Sequence, residues 1–289
     1  MKFDITDEAP PRVSLDDKVT ALRARLRGMG SAVVAFSAGV DSTYIAAVAA
    51  QELGARALAV TATSPSFPER ELQEAGELAR SLGLNHRVIA SHEMANPGYA
   101  NNPQNRCYHC KTELYHLLRQ LADAEGFAHI VDGTNADDLN DHRPGRQAAL
   151  EKGVESPLQE LGFSKADIRA ASRELHLTNA EKPAFSCLAS RFPYGEKITV
   201  EGLRRVEGAE NGLKDMGFTN LRVRAHGDMA RLELDPGQVA RAVAEPLRGQ
   251  IVALVKGCGF RYVTLDLQGY RRGSLNEVLK PADPVRPGL

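Results

Sequence analysis

The segment AVVAFSAGVDSTYIAAVAAQELG, residues 32–54, decides the fold. Its first five residues are an apolar run too short for a helix, and the last twelve are a helical pattern that Gly54 stops. Joining them is SAGVDSTY, residues 37–44, which overlaps the start of the helix and opens on Ser37, Ala38 and Gly39, small residues with little side chain to keep a ligand off the backbone. A strand that enters a helix through such a loop aims main-chain N–H groups and the positive end of the helix dipole at one point, which suits a phosphate. Ser37, Ser42 and Thr43 add hydroxyl donors, and Ala38 and Gly39 keep the loop narrow. The chain has no GxxxxGK(S/T), which excludes a Walker-type loop, and no GxGxxG to support a dinucleotide fold. The plain alternative is a tight strand-to-helix turn that binds nothing.

Working outward, the pattern repeats. A first amphipathic helix is expected over 15–28, where Val19, Leu22 and Leu26 recur at helical spacing. Strands are expected at 57–63, 86–90 and 129–133, with a capping box from Ser66 and Glu69 opening a helix that runs to Leu82, and another helix over 108–125. Helical crossovers between strands imply a parallel sheet, so the fold class is α/β, doubly wound, with helices on both faces. The texture changes near 180, where KPAFSCLASRFPYGEKIT is rich in turn formers. Beyond it a helix at 200–216, strands at 221–226 and 230–234, a helical stretch through 257 and a strand at 262–267 predict a small α+β domain with antiparallel neighbours. The expected division is 15–180, a linker and active loop at 181–196, and 197–280, with a loose leader before residue 15 and a fraying tail at 280–289.

Composition bounds the function. In 289 residues, Lys+Arg 36 against Asp+Glu 37 leave no net basicity for a broad nucleic-acid face. No run approaches the roughly 18 apolar residues of a membrane span, and the acidic N-terminus lacks a signal peptide's apolar core. The expected compartment is the cytoplasm, where structural disulfides are rare, so the Cys 4 of the composition need another explanation.

Cys107 and Cys110 form a CxxC at a helix start, and Cys187 lies in FSCLASRFPYG beside Ser190 and Arg191. Zinc would need a second pair of ligands, and no second CxxC exists; a thioredoxin-like CxxC would follow a strand. Three thiols fit a 4Fe–4S cluster with one iron left open, against buried thiols or adventitious zinc. Cys258 reads as core filling. The loop DGTNADDLNDHRPG, 132–145, follows the fourth strand and offers Asp137, Asp138 and Asp141 for Mg²⁺ beside ATP phosphates, against a solvated acidic turn. LRVRAH puts Arg222 and Arg224 on one strand face, suited to a phosphate or carboxylate, against a solvated edge. Arg191, Arg222 or Arg224 would lower a thiol pKa at Cys187. Glu233 reads as metal-linked or surface.

SAGVDS resembles the SGGxDS signature of the PP-loop ATP pyrophosphatases, with Ala38 in place of the usual glycine, a methyl tolerable if φ is negative there. That resemblance implies that Ser37, Ala38, Gly39, Asp41, Ser42, Thr43, Gly133 and Asp137 hold ATP, that Asp41 orients its pyrophosphate, and that Ala62 touches the adenosine. RCYHCKTELY, GTNADDLNDHRPG, CLASRFPYG, LRVRAHGDMARLEL and YVTLDLQGYRRGSLNE together resemble the LarE family over about residues 17–278. This resemblance implies adenylation of a pyridinium-3,5-biscarboxylic acid mononucleotide by ATP, then displacement of AMP by sulfur, toward the nickel-pincer cofactor of lactate racemase. It further implies catalytic roles for Cys187, Asp41, Ser190 and Arg191, substrate contacts from Arg191, Glu210, Arg222 and Arg224, and Mg²⁺ at Asp138. Sulfur would come through a cluster on Cys107, Cys110 and Cys187, or from Cys187 itself at the expense of its thiol. Partners would be the small-molecule substrate, other enzymes of that cofactor's synthesis and further copies of the chain. The rivals are a tRNA thiolation enzyme, which should show a basic RNA-binding module, and a nucleotide-binding module without catalysis.

Overall fold

The computed structural model describes residues 13–140, 144–184, 186–271 and 273–279. Ser14 opens α1 (Leu15–Met29) by accepting the Asp17 amide, and Gly30 closes it at φ 69°. Then follow β1 (Ala32–Ala35), α2 (Val40–Leu53), β2 (Ala57–Thr63), α3 (Glu69–Ser81) and β3 (His86–Ala90). The chain continues through α4 (Pro97–Ala100), α5 (Arg106–Glu125), β4 (His129–Val131), α6 (Pro144–Glu151), α7 (Pro157–Glu160) and α8 (Lys165–Glu174).

The first sheet has the order β3-β2-β1-β4, all parallel. From β1 the chain winds one way to β2 and β3, then crosses back to β4 on the other side. That reversal opens a crevice at the carboxyl ends of β1 and β4, the place where open α/β sheets take ligands. Period-two alternation explains the layers: Val34 packs with Leu22, Ile45 and Ile168 from α1, α2 and α8, whereas Val33 packs with Tyr115 and Leu118 of α5. Fully burying such a side chain contributes roughly 1.5–3 kcal/mol, so these layers outweigh local propensity.

The remaining elements are α9 (Val200–Asp215), β5 (Arg222–His226), β6 (Met229–Glu233), α10 (Val239–Val243), α11 (Leu247–Gly257) and β7 (Tyr262–Leu265). Leu203, Val206 and Leu213 of α9 and Ile251 and Val255 of α11 cover Val223, Ala225, Ala230 and Leu232 of the second sheet. Tyr99, Leu188, Ala189 and Phe192 join this core, so the loop after Cys187 is packed and not free.

Four expectations are corrected. The second sheet is mixed: β5 and β6 are antiparallel, but β6 and β7 are parallel, because α10 and α11 form a crossover that returns the chain to the starting end. The helical stretch before 257 is two helices, since Pro246 has no N–H to continue the ladder. Ser66 and Glu69 make no capping box; Pro68 is the N-cap of α3, and the Ser66 hydroxyl is drawn to Glu93 instead. Glu233 is neither surface nor metal-linked, being 1% exposed and paired with Arg224 and Arg231. The leader before residue 13 and the tail from 280 lie outside the described residues. No described helix is long and apolar enough to cross a membrane.

Candidate active site

The loop after β1 closes on Ser42. Its hydroxyl donates to the Gly39 carbonyl at 3.1 Å, accepts from the Ser37 amide at 3.2 Å and lies 3.1 Å from the Ser37 hydroxyl. Ala38 stands at φ 54°, against the expectation of a negative φ. The reversal from strand to helix demands left-handed backbone there, which costs a residue with a β-carbon roughly 1–2 kcal/mol. Asn179 holds the strained turn: its amide donates to the Ala38 carbonyl (3.1 Å) and to the Thr43 hydroxyl (2.9 Å). Thr43 is wholly buried and Ser42 nearly so, and they brace the loop from within, while Ser37, Gly39 and Asp41 are half-buried.

Gly133, at the end of β4, lies directly against this turn; a β-carbon there would come 2.7 Å from the Ser42 nitrogen. Asp132 fixes that loop by accepting from the Tyr115, Thr134 and Ser156 hydroxyls and the Thr134 amide. Asp138 is buried and accepts the Asn135 amide, whereas Asp137 is exposed and accepts the Lys165 amide. Asp141 lies outside the described residues. Ala62 is half-buried near the carboxyl end of β2.

Lys165, which the sequence reading passed over, joins the two loops. Its ammonium lies 2.6 Å from both Asp41 carboxylate oxygens. The signal was present: Ser164 and Asp167 form a reciprocal capping box at the start of α8, which places Lys165 in its first turn. Lys165→Ala is expected to weaken ATP binding about tenfold, and Lys165→Arg much less. Calorimetric titration with ATP checks this, and an unchanged affinity would remove Lys165 from the site.

Cys107 and Cys110 occupy the first turns of α5, and Cys187 precedes a 3-10 turn at Leu188–Arg191. Burial pushes the Cys110 thiol up, with Cys187 and Glu93 adding to the effect, so these groups share one neighbourhood. Glu93 was also missed. It is buried and accepts three serine hydroxyls, from Ser64, Ser66 and Ser91. Among the described residues, no three His, Cys, Asp or Glu are gathered closely enough to hold a metal ion. A 4Fe–4S cluster takes one thiolate on each of its irons and needs no such close group; Cys107, Cys110 and Cys187 are the residues that would hold one. Cys258 is half-buried at the end of α11, near Gly208 of α9.

The Cys187 loop is pinned at its main chain. The Leu188 amide donates to the Ser66 carbonyl at 2.9 Å. Arg191 donates to the carbonyls of Ser186 and Cys187 and makes a two-pronged pair with Glu210 at 2.9 Å. Burial alone would weaken the Arg191 charge, but Glu210 outweighs it; burial would raise the Glu210 pKa, but Arg191 and the Val223 amide bring it below the usual range. Arg224 donates to the Ser190 carbonyl (2.6 Å) and pairs with Glu233 (3.0 Å).

The expected substrate contacts are thus divided. Arg191, Glu210 and Arg224 are committed to buried pairs, and Ser190 caps its own turn by donating to the Cys187 carbonyl. Arg222 is half-buried, has no carboxylate partner among the described residues, and lies 5.0 Å from the centre of the Tyr270 ring. Burial, and then the Arg191 charge, lower its pKa. Tyr270 is an aromatic face that the sequence reading quoted within a motif but gave no role.

A parallel sheet reversing between β1 and β4, with a serine- and glycine-lined turn at that point, defines an ATP-using protein of the PP-loop class. The sequence model of the asparagine synthase family matches residues 17–170. The chain is 37% identical over 270 residues to the pyridinium-3,5-bisthiocarboxylic acid mononucleotide synthase of Lactiplantibacillus plantarum, covering 93% of this chain and 97% of that protein. It belongs to that family, LarE. An uncharacterised protein of Synechocystis is 48% identical over 92% of this chain and 99% of its own length. One from Methanocaldococcus jannaschii is 28% identical over 83% of this chain and 90% of its own.

Proposed function

We propose that the protein transfers sulfur, driven by ATP, to a carboxylate of pyridinium-3,5-biscarboxylic acid mononucleotide. The substrate carboxylate attacks the α-phosphorus of ATP, the bond to the β-phosphate oxygen breaks, and pyrophosphate leaves as an acyl adenylate forms. The loop of Ser37, Gly39 and Ser42, with Lys165, holds the departing pyrophosphate, and Asp41 fixes the Lys165 ammonium. Mg²⁺ arriving with ATP would be met by Asp41 and Asp137, one or two carboxylates being enough beside the phosphates. Arg222 and Tyr270 receive the anionic and aromatic parts of the mononucleotide.

The sulfur of Cys187 then attacks the activated carbonyl carbon and AMP leaves with the bonding pair. Release of the thiocarboxylate requires loss of the Cys187 α-proton and cleavage of its Cβ–S bond. A 4Fe–4S cluster held by Cys107, Cys110 and Cys187 would instead supply sulfide without consuming a residue. The observation that supports the reading is the pinning of the Cys187 loop between Ser66, at the end of β2, and Arg224 of β5.

The test is incubation with ATP, Mg²⁺ and the dicarboxylate mononucleotide, followed by mass spectrometry of nucleotide, product and protein. AMP, pyrophosphate and a product with sulfur in place of oxygen are expected, and Cys187 should lose one hydrogen sulfide. Cys187→Ala should retain adenylation and lose thiolation at least ~1000-fold. A thiolated product with Cys187 intact and iron bound would move the sulfur source to a cluster. Thiolation of tRNA instead of the mononucleotide would overturn the reading.

A further inference from the structure

Each buried arginine beside the Cys187 loop has a carboxylate except one. Arg191 faces Glu210 and Arg224 faces Glu233, but Arg106, 4% exposed, has no ion pair among the described residues. One guanidinium nitrogen donates to the Asn102 side chain at 2.5 Å, the group lies 5.4 Å from the Tyr194 ring centre, and its Nε is buried without a partner. A guanidinium cannot shed its proton, and an uncompensated buried charge costs several kcal/mol. An arginine kept in this state requires an anion in the working protein.

The surroundings restrict what that anion is. Asn102 is fully buried at φ 53°, and its amide donates to the carbonyls of Phe192 and Pro193, so Arg106 is locked where the start of α5 meets the end of the Cys187 loop. Cys107 is the next residue. The Tyr194 hydroxyl is pushed up by burial, opposed by Arg106 and raised further by Cys107 and Cys187, which brings all three around one ring. Glu93 is already taken by three serines. We infer that Arg106 is the built-in counter-cation of an anionic sulfur, a cysteine thiolate or a hydrosulfide ion, held between α5 and the Cys187 loop. The inference rests on the three cysteines being the sulfur centre.

The test compares alkylation by iodoacetate and iodoacetamide, residue by residue, on reduced protein freed of metal with a chelator. The ratio of the two rates reports local potential and cancels the reactivity of each thiol. Cys258, at the C-terminal end of α11, is the internal reference. In the wild type the ratio should be about five- to tenfold higher at Cys107 and Cys187 than at Cys258. Arg106→Gln should abolish most of that excess, and Arg106→Lys should preserve it. Equal ratios in the wild type overturn the inference even if Arg106→Gln fails to fold, as does an excess that survives Arg106→Gln.

Labelled sulfide identifies the source. Retention by wild type, lost in Arg106→Gln, makes the anion hydrosulfide; a ratio effect without retention makes it a protein thiolate. The outcome is separable from that of the proposed function. If wild type forms no thiolated mononucleotide but the ratios hold, the function fails and the counter-cation stands. If product forms and the ratios are equal, the reverse follows.

Discussion

Glu210→Gln is expected to lower folding stability by about 3–5 kcal/mol, the typical result of removing one member of a buried ion pair. Both partners are 4% exposed at their side chains, so water cannot replace the lost charge. The glutamine keeps an acceptor for the Val223 amide, which isolates the effect on Arg191. Denaturant unfolding measures it, and a loss below about 1 kcal/mol would mean that Arg191 finds another anion. The double replacement Arg191→Met with Glu210→Leu should lose less than the single one, because it leaves no orphaned charge. The pH dependence has a definite sign. The Glu210 pKa is depressed in the folded state, so its contribution is present above the unfolded carboxylate value near ~4.3 and is lost as pH falls through the lower folded value. Wild type should therefore lose stability more steeply than Glu210→Gln below about pH 4.

Gly133→Ala is expected to reduce ATP affinity at least ~100-fold and stability by about 1–3 kcal/mol. The new methyl would lie 2.7 Å from the Ser42 nitrogen and 2.9 Å from the Asp41 carbonyl carbon. Both are main-chain atoms in the first turn of α2, so no side-chain rotation relieves the contact. The turn itself must shift, and with it the amides that face the crevice. Calorimetric titration reads the affinity, and alkylation of Cys187 at the wild-type rate would show that the distant loop is undisturbed. Normal ATP binding by the variant would place the nucleotide elsewhere than between β1 and β4.

Much of the fold was legible because local pattern and tertiary role agree. AVVAF followed by small residues and a Gly54 stop is a strand, a turn and a helix in the structure too. The errors share a physical cause, in that long-range partners overrode local signals. Ser66 looked like a cap until Glu93, far along the chain, claimed its hydroxyl. Arg222 and Arg224 have the same period-two signal, and Glu233 stands across from Arg222 in the ladder, yet it is Arg224 that reaches it diagonally and pairs with it. Nothing in LRVRAH distinguishes a committed arginine from an available one. Ala38 shows the reverse case, in which the backbone geometry that the site needs defeats the residue's own preference and Asn179 holds the result. Lys165 was legible through its capping box and was passed over because the stretch before 180 lacks a strong strand pattern.

The anchors of the Cys187 loop share one property. The carbonyls of Ser186, Cys187 and Ser190 and the amide of Leu188 hold it, and none of these bonds passes through the cysteine sulfur. If the Cys187 thiol is spent as proposed, these main-chain anchors persist, so a spent chain is expected to remain folded and to go on binding nucleotide. Such chains would accumulate as well-folded competitors, and removing them would fall to turnover of the protein and not to its unfolding.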